Sequence, residues 1–147
     1  MGELITNGDF EDGLTGWSVG NGVASIEAPG AQTWVSPHSG TKMLRQGLNA
    51  NVTSSPFPVS DTQNLVISIA NNSYSTDRQV SVSLITDTDT VQVGTFSSGG
   101  QKWATDWVEI QVPAGATTAR LRLSVTTLDM RIDDVSVTPI LRGGAVA

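Results

Sequence analysis

The chain has no cysteine and a single histidine, and only 15% of its 147 residues are charged. Without cysteine, no disulfide can staple the fold and no thiol chemistry is available. A Ser-His-Asp triad would have to use His38 as its base. That residue stands in Ser36-Pro37-His38-Ser39-Gly40, with no nucleophile-elbow pattern beside it, and reads as a loop residue ahead of a Ser-Gly turn. Basic residues are also scarce. Eight Lys and Arg face fourteen Asp and Glu, a formal net charge of −6, which argues against nucleic acid and anionic membranes as partners. No apolar run is long enough to span a bilayer, so no membrane insertion is expected. The opening Met1-Gly2-Glu3-Leu4 carries neither a basic segment nor an apolar signal core. Localisation therefore stays open between a virion surface and a secreted, processed protein.

What the chain does contain is alternation. Apolar residues make up 38% of it, and they recur with period two rather than at helical spacing. Val80, Val82 and Leu84 alternate with Ser81 and Ser83. Val108, Ile110 and Val112 share one face, as do Leu121, Leu123 and Val125 against Arg120, Arg122 and Ser124. Leu65–Ala70, Thr90–Phe96, Val23–Ala28 and Lys42–Leu48 are further strand candidates. Turn clusters separate them, at Asn49-Ala50-Asn51, Asn71-Asn72-Ser73, Asp87-Thr88-Asp89, Ser97–Gly100 and Pro113-Ala114-Gly115. The spacing predicts an all-β, antiparallel β-sandwich of about nine strands. One domain over residues 1–139 is expected, followed by a Gly/Ala-rich tail at 140–147 that could serve assembly or homo-oligomerisation.

The end of the pattern carries an irregularity. Ile132 belongs to the even-numbered face, whereas Val135 and Val137 belong to the odd-numbered one. A regular pleat cannot bury both sets, so a β-bulge is predicted across Asp133-Asp134.

Two motifs then pair the ends. Asn7-Gly8-Asp9-Phe10-Glu11-Asp12-Gly13 with Thr15-Gly16-Trp17 opens the chain, and Met130-Arg131-Ile132-Asp133-Asp134-Val135-Ser136-Val137 closes it. The pair resembles the signature of carbohydrate-binding modules of families four and nine, which are galactose-binding-like jelly rolls. The resemblance implies neighbouring first and last strands and one structural calcium ion between them. Glu11 and Asp134 would give side chains to it, Asp9 chiefly its carbonyl, and the Ser39-Gly40-Thr41-Lys42 segment a carbonyl at Lys42. Calcium favours six to eight oxygen ligands, and two acidic clusters brought together without a cation would repel.

A sugar presents an apolar face and a polar edge, so its binders combine aromatic rings with hydrogen-bonding side chains. The resemblance places Trp17 and Trp107 at positions that usually pack within the sandwich, and Phe10 and Phe96 read as core. That leaves Trp34, Tyr74 and Trp103 outside a clean alternation, with Gln46, Asn71, Asn72 and Arg78 as polar candidates. The strand-borne Trp after the central segment of the family is missing from Leu65–Asn72, which speaks against a deep glucan cleft. The leading expectation is a non-catalytic module that recognises a glycan through a shallow surface. A virion structural protein, such as a decoration or tail component using the same jelly roll, is the alternative. An accessory domain of a glycoside hydrolase comes third, and an enzyme in its own right last.

Overall fold

A computed structural model describes residues 2–28, 35–126 and 129–142. Trp34, and the tail beyond residue 142, lie outside the described residues. Among the described residues, eleven strands and no helix are present: β1 (Trp17–Asn21), β2 (Ala24–Glu27), β3 (Met43–Gln46), β4 (Asn51–Ser54), β5 (Phe57–Pro58), β6 (Gln63–Ser73), β7 (Val80–Thr86), β8 (Thr90–Phe96), β9 (Ala104–Gln111), β10 (Thr118–Ser124) and β11 (Met130–Leu141). They form two antiparallel sheets. One has the order β1-β4-β10-β7-β8, with the short β5 also paired to β10. The other has the order β2-β3-β11-β6-β9. The all-β sandwich expected from alternation is therefore the fold.

The core lies between the sheets. Val52, Val82, Leu84, Leu121 and Leu123 face it from the six-stranded sheet, and Leu44, Leu65, Ile67, Ile69 and Ile132 from the five-stranded one. Phe10 and Trp17 are buried against each other with ring centroids 5.3 Å apart. Phe96 packs half-buried on the core edge.

Three elements differ from the sequence reading. Asn71-Asn72-Ser73 is not a turn but the end of β6, paired with Ile132, Arg131 and Met130 of β11. Asparagine is disfavoured in strands, but Asn71 finds local partners, its Nδ2 donating to the Ala104 carbonyl and the Asp106 carboxylate. Asn51 opens β4, a strand too short and polar to show by alternation, and β1 (Trp-Ser-Val-Gly-Asn) is likewise exposed along most of its length. The last strand also continues through Pro139 to Leu141. There β11 pairs with β6 on one side only, and β3 meets it only at residues 130–132, so the missing proline N–H leaves no ladder bond unmade.

The expected bulge is present. The β11–β6 register shifts between Asp133 and Ser136, and Asp134 takes a positive φ of 46°. Ile132 and Val137, on opposite parities, both become fully buried as a result.

Candidate functional site

The opening motif explains itself as a clasp. Asn7, at a φ of 56°, donates from Nδ2 to the carbonyls of Gly13 and Thr15, while its Oδ1 accepts the Asp12 amide. Its carbonyl accepts the Trp17 indole N–H at 3.0 Å. Gly8 lies so close to β11 that a Cβ there would stand 2.0 Å from the Val135 carbonyl oxygen. The Gly8 carbonyl in turn accepts the Val135 amide at 2.8 Å, and Leu4 N–H donates to Val137. The two ends are thus neighbours, as the paired motifs imply.

Both acidic motifs converge on the segment 38–42. Glu11 accepts the amides of Thr41 and Lys42, at 2.9 and 2.8 Å, and the Thr41 hydroxyl at 2.8 Å. The Thr41 amide and hydroxyl hold its carboxyl below the ordinary range. Gly40, with φ at +60°, is required here, since a Cβ would meet the Glu11 carboxylate at 2.6–2.8 Å. From the other side, the bulge turns Asp134 toward this segment, where Oδ1 accepts the Ser39 hydroxyl at 2.7 Å and Oδ2 lies 2.6 Å from His38 Nδ1. Asp133 is fully buried and accepts the Ser39 and Asp134 amides. Burial nevertheless pushes its carboxyl up to about 6.

The four residues implied as metal ligands thus fall into two pairs. Asp9 and Asp134 line a cavity of about 350 Å³ beside Glu3 and Val135. Glu11 and Lys42 are bonded to each other through the Lys42 amide. Among the described residues no group of three acidic or histidine side chains is gathered as a metal site. The donors are hard oxygens of the kind calcium accepts, but those of Glu11 and Asp134 already serve the loop.

The outward face of the five-stranded sheet carries the other candidates. Residues paired across strands share a face. Ser25, Arg45, Arg131 and Asn72 form one row across β2, β3, β11 and β6, and Ser68 pairs with Trp107 of β9 on the same face. Trp107 points out of the sandwich and is 67% exposed, contrary to the packed position expected for it. The alternation of β9 gives the reason: Val108 and Ile110 take the inner face, so Trp107 must take the outer one. Tyr74, just past β6 on the same parity, is 53% exposed.

Trp103 does a different job. It is half-buried, its indole N–H donates to the Ser36 carbonyl at 2.8 Å, and its ring meets His38 edge-on. The segment 36–39 is thereby anchored at the β9 side by Trp103 and on β11 by Asp133 and Asp134, and it crosses β6 in between. This crossing accounts for outward-pointing Ala70, Asn72 and Asp133 being buried. Gln46 faces the interior, donating to the Ala50 and Leu123 carbonyls, and presents nothing to the outside. Arg78 is half-buried in the β6–β7 turn. Of the sugar candidates on this face, Tyr74 is exposed, whereas Asn72 is buried and Trp103 is engaged with Ser36 and His38; Trp107, which was not among those candidates, is exposed.

No family model matches the chain, and no curated protein matches it in sequence. Solved structures do match in fold. One is a family 61 carbohydrate-binding module in complex with β-1,4-galactotriose, with a TM-score of 0.68 and 13% identity over 94% of this chain and 99% of that one. Another comprises the family 22 carbohydrate-binding and catalytic modules of a Clostridium thermocellum xylanase with xylohexaose. It has a TM-score of 0.70 and 16% identity over 94% of this chain and 29% of that one. A family 4 module matches at a TM-score of 0.59 and 11% identity, over 88% and 99%. The shared feature is the sandwich of carbohydrate-binding modules, found in several families including one of the two that the end motifs resemble.

Proposed function

We propose that this chain is a non-catalytic glycan-binding module whose stacking platform is Trp107 on the outward face of the five-stranded sheet. The observation that carries the reading is an indole two-thirds exposed on a polar sheet face, opposite Ser68 and flanked by Thr105 and Glu109. A ring so placed offers its apolar face to the C–H face of a pyranose, and neighbouring hydroxyl and carboxylate groups meet the sugar's edge. Because segment 36–39 crosses the sheet beside it, the platform suits a short stretch of glycan rather than a long cleft. The fold likeness to modules solved with galactotriose and xylohexaose supports the same class of ligand. His38 is engaged with Asp134, Asp134 also with the Ser39 hydroxyl, and Glu11 with the loop, an arrangement that serves structure rather than hydrolysis. Titration with β-1,4-galactotriose and with xylohexaose, followed by tryptophan fluorescence, tests the reading. Trp107→Ala should weaken binding tenfold or more, about 1.4 kcal/mol, without lowering the melting temperature. Wild-type binding that survives Trp107→Ala unchanged would move the site elsewhere.

A structural calcium held by Glu11, Asp134, Asp9 and the Lys42 carbonyl is the finer part of this proposal. The all-oxygen donor set supports it; to bind, the ion would have to compete with the Thr41 and Lys42 amides for Glu11. An ion bound only by the folded chain raises the melting temperature in a concentration-dependent way. Adding calcium to chelator-treated protein should therefore raise it, and Glu11→Ala should abolish the increment. A melting curve indifferent to calcium would mean the loop donors alone neutralise Glu11.

A further inference from the structure

At the β2–β3 end of the same sheet lies a separate pocket of about 240 Å³, lined by Val23, Ser25, Arg45, Gly47, Leu48 and Asp129. This is below the roughly 300–1,000 Å³ of drug-sized sites and on the scale of a single sugar ring. It stands roughly 20 Å from Trp107, three strand spacings and four residues away.

Its walls are apolar and its rim is polar. Val23 and Leu48 are 68% and 52% exposed, an unusual degree for two aliphatic neighbours held together by the Gly47 amide donating to the Val23 carbonyl at 2.8 Å. Asp129 receives Arg45 Nε and Nη2 at 3.1 and 2.7 Å and Arg131 Nη1 at 3.4 Å, all on the one oxygen Oδ2. Its Oδ1 accepts no hydrogen bond from another described residue, and it lies 3.9 Å from where a Gly47 Cβ would stand. Burial alone would raise this carboxyl, but the Arg45 and Arg131 guanidinium groups bring it below the usual range, so it is ionised at neutral pH.

An open carboxylate oxygen next to a partly exposed guanidinium sets an acceptor and a donor side by side. A vicinal diol matches that pair: one hydroxyl donates to Asp129 Oδ1, and its neighbour accepts from Arg45. The C–H face of the same ring would then lie on Val23 and Leu48. We infer that this pocket is a second saccharide subsite, taking one neutral pyranose unit through a vicinal diol. The inference rests on the glycan-binding reading above but not on Trp107 being its platform.

Gly47 supplies a clean test. A Cβ there meets only ordinary contacts, at 3.4 Å or more, so a larger side chain can enter the pocket without displacing the backbone. The experiment is backbone-amide NMR of the full chain, titrated with galactose, glucose, mannose and xylose, and with tetrahydropyran-2-methanol as a ring lacking the diol. Gly47, Leu48 and Val23 resonances should shift with at least one sugar and not with the diol-free ring. The shifts should vanish in Gly47→Leu, weaken about tenfold in Leu48→Ser, and persist in Trp107→Ala. Leu48 is half exposed, so its replacement keeps the test valid if Gly47→Leu does not fold. Shifts confined to Trp107 and its neighbours would overturn the subsite and leave the platform reading standing. Pocket shifts without any at Trp107 would support the subsite and displace the platform. Pocket shifts equal with the diol-free ring, or unchanged in both pocket variants, would overturn it. No shifts from any of these sugars would overturn the subsite, and none from galactotriose or xylohexaose either would overturn the platform reading as well.

Discussion

Single residues in this chain are constrained chiefly by close approach and left-handed backbone, and the motif residues show it best. Gly8 has no room for a methyl because the Val135 carbonyl fills the space, and Val135 is held close by its own amide, which donates to the Gly8 carbonyl. Gly8→Ala should therefore cost about 3 kcal/mol or more, read as a lowered denaturation midpoint with an unchanged slope. Asp87 shows how a loop carboxylate can matter without a metal. The Thr117 hydroxyl and amide, then the Thr118 amide, bring its carboxyl to about 2. A carboxyl more acidic folded than unfolded adds stability above its unfolded value near 3.8, and loses it as pH falls toward 2. Asp87→Asn should flatten the stability profile over that window while leaving the neutral-pH profile parallel to wild type. None of these roles shows in residue type alone: Asp87 stands in the Asp87-Thr88-Asp89 turn cluster, and only the fold brings Thr117 beside it.

At the scale of elements, the last strand and the segment crossing β6 hold the design. The bulge in β11 is legible in the sequence, since apolar parity switches between Ile132 and Val135 and a pleat cannot ignore its own period. The crossing of segment 36–39 was not legible. It depends on Trp103 meeting Ser36 and on Asp133 meeting Ser39, pairs far apart in the chain and without a local signal. Trp103→Ala should loosen this segment, raising amide hydrogen exchange at Ser39 and lowering the melting temperature, whereas Trp107→Ala should do neither. Equal effects of the two would mean that both indoles brace the fold. The motif resemblance misplaced Trp107 inside; the alternation of β9, with Val108 and Ile110 on the inner face, turns it outward.

For the whole molecule, folding must join the ends. Residues 4–8 bond to β11, and β11 also pairs with β3 and β6, so the final sheet closes only after most of the chain is ordered. Loop closure over such separations is slow, and refolding on a millisecond-to-second timescale is expected in stopped-flow fluorescence. The sequence by itself determined the all-β class, most strand faces and the bulge, because period-two burial and turn chemistry are local rules; the meeting of the two ends was implied by the motif resemblance and is seen in the Gly8–Val135 and Leu4–Val137 bonds. Only the tertiary structure decided which polar groups face outward together. Gln46 was drawn into the core by the carbonyls of Ala50 and Leu123, and Glu11 and Asp134 were each drawn to the 38–42 segment. Trp107 was left open beside Ser68, and Arg45 and Asp129 were set against Val23 and Leu48. Those arrangements follow from which strands lie side by side, and strand order is settled by packing of the complete core rather than by any one strand's pattern.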